Sequence, residues 1–128
     1  METGSIQDVL ARQFIGAAIE VHRRLGPGFL ESVYEEAVVL ECRLRGIPVR
    51  QQVDVSISYK GMSVGTGRMD LLVGDVLIIE LKTVENVLPI HQAQLLSYLK
   101  ATSLKLGLLI NFNVRMLRNG IKRVILTR

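Results

Sequence analysis

The stretch Met69-Asp70-Leu71-Leu72-Val73-Gly74-Asp75-Val76-Leu77-Ile78-Ile79-Glu80-Leu81-Lys82 decides how the chain folds. Its second half is a continuous apolar run that ends in charge, so residues 76–82 read as a strand buried on both faces and central in a sheet. Side-chain alternation puts Ile78, Glu80 and Lys82 on one face, where a carboxylate and an amine follow an apolar surface. If the chain turns through Gly74-Asp75-Val76, Asp70 stands directly opposite Glu80 on that same face. A two-residue turn would instead pair Asp70 with Ile79 and separate the carboxylates.

Outward from this stretch, residues 62–73 form a return strand interrupted by Gly65 and Gly67. Lys60-Gly61 joins it to a half-exposed strand in which Val53, Val55 and Ile57 alternate with polar residues. Before the strands, Ile6, Leu10, Phe14, Ala17 and Val21 recur at helical spacing between an N-cap at Ser5 and a stop at Gly26. Gly26-Pro27-Gly28 forces a turn, and Leu30, Val33, Tyr34, Ala37, Val38 and Leu44 continue a second helix that ends near Gly46-Ile47-Pro48. The turn lacks the strand context and spacing of a nucleotide-binding loop, which excludes that class. After the central strand, Pro89 opens a helix whose apolar stripe is Ile90, Ala93, Leu95, Leu96, Leu99 and Ala101. Residues 106–112 read as another buried strand, and a strand, crossover helix and strand in that order imply parallel pairing in a mixed sheet. Asn119-Gly120, flanked by Met116-Leu117-Arg118 and residues 121–126, predicts a two-residue C-terminal hairpin. The fold class is α/β, with a central mixed sheet flanked by helices.

The 128 residues, 48% of them hydrophobic, suit a single domain over 1–128 with one core. No apolar run approaches the roughly 20 residues of a membrane span, and the start Met1-Glu2-Thr3-Gly4-Ser5 lacks the features of a signal peptide, so a cytoplasmic protein without a membrane partner is expected. The single cysteine, Cys42, excludes an internal disulfide framework and reads as a buried structural thiol. A net charge of +4 suits a polyanionic partner. The basic residues are scattered from Arg23 to Arg128 and form no tail, so the excess belongs either to an ordinary solvated surface or to a folded basic face, on which Arg118 and Lys122 are candidate phosphate contacts.

Two facing carboxylates at the edge of an apolar sheet repel each other and lose hydration, and a divalent cation bound by both removes that cost. Oxygen ligands suit Mg²⁺ or Mn²⁺, and the Leu81 backbone carbonyl lies between the acidic and basic positions as a further ligand. Lys82 can then orient or activate an attacking water and offset charge growing on a phosphate, while the metal polarises the phosphoryl oxygen. The bland alternative is an exposed strand-end salt bridge between Glu80 and Lys82.

With this order of elements, the chain resembles the PD-(D/E)XK nuclease superfamily, whose αβββαβ core places an Asp and a Glu-x-Lys on neighbouring strands. Gly28-Phe29-Leu30-Glu31-Ser32-Val33-Tyr34 is similar to the signature of the GxxExxY proteins, a bacterial and archaeal group assigned to that superfamily. Ile19-Glu20-Val21-His22, Leu25-Gly26-Pro27-Gly28 and the stretch from Pro89 through His91-Gln92-Ala93-Gln94 to Tyr98-Leu99 share the likeness. The resemblance implies a restriction-endonuclease-like core with an extra N-terminal helix and a C-terminal hairpin, and a metal-dependent nuclease acting on nucleic acid, DNA foremost. It implies catalytic roles for Asp70, Glu80, Lys82, Gln94 and Glu31, with metal held by Asp70, Glu80, Leu81 and Glu31. Glu35, one turn further along, competes with Glu31. Gln94 and Tyr98 share a helix face and match the Gln-x-x-x-Tyr element of RecB-like nucleases, and His91 joins that face as a substrate contact. Met69 stands where the superfamily name has Pro. A short chain offers little surface for gripping a duplex, so a homodimer is expected. The competing readings are a catalytically silent nucleic-acid-binding or assembly module on this fold, and a metal-dependent hydrolase of another phosphate ester.

Overall fold

In the computed structural model, which describes residues 4–127, the first helix α1 spans Ile6–Leu25 and α2 spans Glu31–Leu44. Met1, Glu2, Thr3 and Arg128, read above for a leader and for basic charge, lie outside the described residues. Ser5 caps α1, its hydroxyl accepting from the Asp8 amide at 3.2 Å, and Gly26 ends it. Gly26 and Gly28 take φ of 71° and 111°, so Gly-Pro-Gly is the interhelical turn that the residues predict.

Strands β1 (Val49–Tyr59) and β2 (Met62–Val73) form a hairpin through Lys60 and Gly61, both at positive φ as a tight mirror-image turn requires. The loop Gly74-Asp75-Val76 leads into β3 (Leu77–Lys82), with Gly74 and Asp75 left-handed and the Val76 amide donating to the Val73 carbonyl at 3.2 Å. Helix α3 (Pro89–Thr102) then crosses to β4 (Leu106–Asn111), which runs parallel to β3 in the register Leu77↔Leu106 through Lys82↔Asn111. Strand β5 (Ile121–Ile125) pairs antiparallel with β4. The sheet order is β1-β2-β3-β4-β5, so β3 is central, and it is buried on both sides as its apolar run demands.

Helices α1 and α2 cover one face, where Phe14, Tyr34, Leu71, Ile79, Leu81 and Leu108 meet, and α3 covers the other with Leu95 and Leu99 against Val55, Met69, Ile78 and Leu109. Each such side chain, fully buried, contributes roughly 1.5–3 kcal/mol. Among the described residues no helix is long and apolar enough to cross a membrane.

The β1–β2 ladder slips register between Ile57 and Ser58, and at a second, separate rung both strands change face. Val49 packs toward α1 and α2, whereas Val53, Val55 and Ile57 pack toward α3, although all four share one parity. Across the hairpin, Leu71 and Val73 belong to the first core and Met69 to the second. The switch falls where Gln52, at φ 52°, and Asp70 drop out of the pairing between Gln51↔Leu71 and Val53↔Met69. Asp70 therefore sits at a twist in its strand and not on a plain alternating face.

The C-terminal hairpin turn predicted at Asn119-Gly120 does not form. Leu117–Gly120 is a single 3₁₀ turn, neither Asn119 nor Gly120 has positive φ, and residues 121–125 pair with β4 instead of folding back on Met116-Leu117-Arg118. Leu117 is buried in the α1–α2 core, and pairing with the fully buried β4 outweighs the local turn preference. The sheet still closes on an antiparallel β4–β5 pair, joined by the longer 112–120 connection. Gly120 serves close approach, because a Cβ there would fall onto the Asn111 carbonyl. Gly120→Ala should accordingly lower unfolding free energy by about 1–3 kcal/mol, read from urea denaturation, and an unchanged midpoint would contradict this packing.

Candidate active site

Backbone pairing between β2 and β3 runs only from Val73↔Leu77 to Leu71↔Ile79. At the next rung the strands part, and side chains take over from main chain. The Asp70 amide donates to Glu80 Oε2 at 3.0 Å, and the Leu81 amide donates to Asp70 Oδ2 at 2.8 Å. The three-residue loop thus brings Asp70 to Glu80, as the spacing predicts, and each carboxylate reaches across to the other strand.

The surroundings raise the proton affinity of both acids. Glu80 is only 4% exposed, and burial first, then the Asp70 charge, pushes it up to about 8; the Asp70 amide and Lys82 act in the opposite direction. Burial also raises Asp70, against the Leu81 hydrogen bond; Glu35 adds to the rise, while Lys82 and the Gln52 amide oppose it. From α2, Glu31 is raised by burial and then by Asp70, with Lys82 lowering it and Glu35 raising it further. Asp70, Glu80, Glu31, Glu35 and Lys82 therefore act on one another as a single electrostatic group.

Helix α2 is anchored in the core by Tyr34, which is turned inward. Tyr34 is fully buried, stacks on Phe112 at 4.6 Å, donates its hydroxyl to the Gly26 carbonyl and accepts from the Phe29 amide at 3.2 Å. These contacts pin the α1–α2 loop and set the first turn of α2, where Glu31 is the first residue. Glu35, one turn on, accepts from Gln51 at 3.0 Å and from Gln52 at 2.9 and 3.1 Å.

Gln51, Gln52 and Asn111 escaped the sequence reading. Paired glutamines beside a positive φ carry no motif, and Asn111 ends a strand that reads as purely apolar. Asn111 is 3% exposed and clamps the backbone just past Lys82: its Oδ1 accepts from the Val84 amide at 3.1 Å and its Nδ2 donates to the Val84 carbonyl at 2.8 Å. It also accepts from the Asn113 amide at 3.1 Å, while the Phe112 amide donates to the Lys82 carbonyl at 2.9 Å.

The α3 residues make no hydrogen bond to these carboxylates among the described residues. The Tyr98 hydroxyl accepts from the Arg68 amide at 3.4 Å and from Gln94 Nε2 at 3.5 Å, and its ring covers Gly67 so closely that a Cβ there would meet it at 2.6 Å. His91 accepts the Leu88 amide on Nδ1 at 3.0 Å, a helix-capping role. Lys122 lies in the row Glu80–Leu109–Lys122 across β3, β4 and β5, and Arg118 sits in the 112–120 connection; both are exposed.

Among the described residues no three His, Cys, Asp or Glu side chains converge into a ready-made metal cage. The donor set nonetheless fits a hard divalent cation, since two crossed, half-desolvated carboxylates and a nearby third have raised pKa values that a positive ion would relieve.

The family model of the PD-(D/E)XK nuclease superfamily matches residues 8–124. The crystal structure of SSO0001 is similar to this chain at 19% identity and a TM-score of 0.48, covering 95% of this chain and 78% of that one. No curated protein matches the chain.

The raised carboxylate has a definite pH signature. Folded Glu80 holds its proton up to about pH 8, whereas the unfolded side chain loses it near 4.5, so the folded state binds more protons in between. Stability of the metal-free protein should be greatest below pH 4.5 as far as this group is concerned, and should fall as pH rises toward about 8. Glu80→Gln should flatten that fall in melting-temperature scans; an identical slope in both proteins would disprove the burial of an ionisable group here.

Proposed function

The chain belongs to the PD-(D/E)XK nuclease superfamily, and from that premise we propose that it is a metal-dependent nuclease hydrolysing phosphodiester bonds of nucleic acid, DNA foremost. Its five-stranded mixed sheet and three flanking helices are consistent with the restriction-endonuclease-like fold. The reading takes 1–128 as one nuclease-like domain of the GxxExxY group, on the strength of Gly28, Glu31 and Tyr34, in a cytoplasmic setting. The observation that carries it is the crossing of Asp70 and Glu80 at the parting of β2 and β3, with Glu31 and Lys82 near enough to shift them.

In this reading Asp70, Glu80 and Glu31 hold Mg²⁺ or Mn²⁺, and the Leu81 backbone carbonyl completes the protein's share of the ligands. The bound ion supplies Lewis-acid polarisation of the phosphoryl oxygen. Lys82 orients the attacking water and offsets charge that grows on the phosphate as the new P–O bond forms and the old one breaks. Asn111 keeps the chain after Lys82 in place, so the amine has a fixed base to work from. Gln94 steadies the water or the substrate backbone with Tyr98 and His91 beside it, while the exposed Arg118 and Lys122 hold phosphates.

A second copy of the chain would cover the outer face of α2. Leu30, Val33, Leu40 and Leu44 repeat there at heptad spacing, with three of them more than half exposed. Their combined exposed area is on the order of 400 Å². Two such faces together with their surroundings approach the roughly 1,000 Å² of a specific interface. Glu36 and Arg43, at equivalent flanking positions one heptad apart, can pair across an antiparallel two-fold axis.

Incubation with linear, circular, nicked and single-stranded DNA and with RNA, under Mg²⁺, Mn²⁺ or EDTA, tests the activity directly. Glu80→Gln should abolish metal-dependent cleavage and leave nucleic-acid binding intact or slightly tighter. Lys82→Ala should lower turnover at least about a hundredfold while calorimetry still records metal binding. A wild type that binds but never cuts, with Glu80→Gln binding equally well, would leave the silent binding module as the function. Light scattering should give twice the 14.3 kDa chain mass for the wild type and the monomer for Leu40→Asp; a monomeric wild type removes the dimer.

A further inference from the structure

A second feature lies between α1 and the chain that follows β4. The C-terminal part of α1 and the 112–120 connection enclose a hollow of about 250 Å³. Its floor is apolar, made by Ile19, Met116 and Leu117, of which Ile19 is 42% and Met116 51% exposed. Arg23, Arg115 and Arg118 also line it. Glu20 engages Arg23 at 2.7 Å and Arg24 at 3.0 Å. Among the described residues no carboxylate comes within 4.0 Å of Arg115 or Arg118, so positive charge there is left unbalanced.

The hollow is built into the fold. Buried His22 lies beneath it, and its Nε2 shares a 2.8 Å hydrogen bond with the Val114 carbonyl, tying the connection to α1. One residue earlier, Asn113 Nδ2 donates to the Val84 carbonyl at 3.4 Å, two positions past Lys82. The same short stretch of chain thus borders both the hollow and the loop that follows Lys82.

An inorganic anion has no use for an apolar floor, and an apolar ligand has none for three guanidinium groups. A nucleotide unit has both a flat, weakly hydrated base and a charged phosphate on each side of it. The volume is below the roughly 300–1,000 Å³ of a drug-sized ligand pocket and suits one base-sized group. We propose that this hollow is a subsite for one unstacked nucleotide of a single-stranded polynucleotide segment. The base lies on Ile19 and Met116, and the flanking phosphates meet Arg115 and Arg118, with Arg23 at the third side. The inference rests on the nucleic-acid substrate proposed above and adds a preference: an unpaired segment binds better than a duplex, whose bases are stacked and out of reach.

Fluorescence anisotropy in EDTA, where no cleavage intervenes, tests it with a labelled single-stranded oligodeoxynucleotide, the matching oligoribonucleotide and a blunt duplex, which also separates DNA from RNA as the strand bound. Joint Ile19→Ser and Met116→Ser substitution should weaken binding of the preferred single strand roughly tenfold and leave the duplex within about twofold. Joint Arg115→Ala and Arg118→Ala substitution should reduce the log-log salt slope for that strand by about 1.4. All four side chains are exposed, and unchanged melting temperatures would verify the folds. Equal losses on single strand and duplex, or no loss in the Ser variants, would overturn the subsite, as would a wild type that binds no strand. If the wild type binds single strands selectively and the Ser variants lose that selectivity, yet nothing is ever cut with Mg²⁺ or Mn²⁺, the subsite stands and the nuclease reading falls. If the wild type cuts but the Ser variants bind as it does, the subsite alone falls.

Discussion

The architecture turns on the exchange between Asp70 and Glu80, in which each carboxylate accepts an amide from the opposite strand just where β2 and β3 stop pairing. A buried amide must find an acceptor, so two strands can separate inside a protein only where something replaces the ladder. Here the replacements are the two acids themselves. Their placement follows from backbone hydrogen bonding, and the same placement confines like charges in a poorly hydrated setting. Glu80 responds by holding its proton to about pH 8. The strain is electrostatic, and a cation or a proton relieves it.

The rest of the scaffold delivers groups to that point. The face switch at Gln52 and Asp70 lets one hairpin serve two cores, with Met69 packed toward α3 and Leu71 toward α1 and α2. It leaves Asp70 between them, free to reach β3. On the α1–α2 side, Tyr34 and Phe112 stack, and their neighbours are the parts that bear on the site. Tyr34 fixes the loop before Glu31, and Phe112 follows Asn111, which secures the chain after Lys82. A buried aromatic pair and a fully bonded asparagine thus hold the acid from α2 and the base end of β3 in one frame. The spacing of Gly28, Glu31 and Tyr34 acquires separate physical meanings: a left-handed turn, a charged group at a helix start and an internal brace.

Much of this was legible along the chain because it depends on local periodicity. The alternation of Val53, Val55 and Ile57, the apolar run of 76–79, the Ser5 cap and the Lys60-Gly61 turn are short-range signals, and each element formed within a residue or two of its predicted limits. The meeting of Asp70 with Glu80 was legible only as one of two registers, and the three-residue loop at 74–76 that formed chose between them. The Asn119-Gly120 turn was equally clear as a local signal and did not form, because β4 offered residues 121–125 a buried partner that a surface hairpin could not match.

The sequence by itself determined the order of elements, the central place of the buried strand and the acidic and basic residues that end it, while the loop at 74–76 that formed fixed its register. Tertiary structure alone decided that the carboxylates cross onto opposing backbone, that both hairpin strands change face at one rung, and that Asn111, Gln51 and Gln52 hold the surroundings. It also decided that Arg115 and Arg118 line an apolar hollow with Arg23, which lies about ninety residues earlier in the chain. The division has a physical origin. Helix and strand periods are written in neighbours a few positions apart, whereas hydration, charge coupling and polar bracing depend on groups that meet only when distant segments pack.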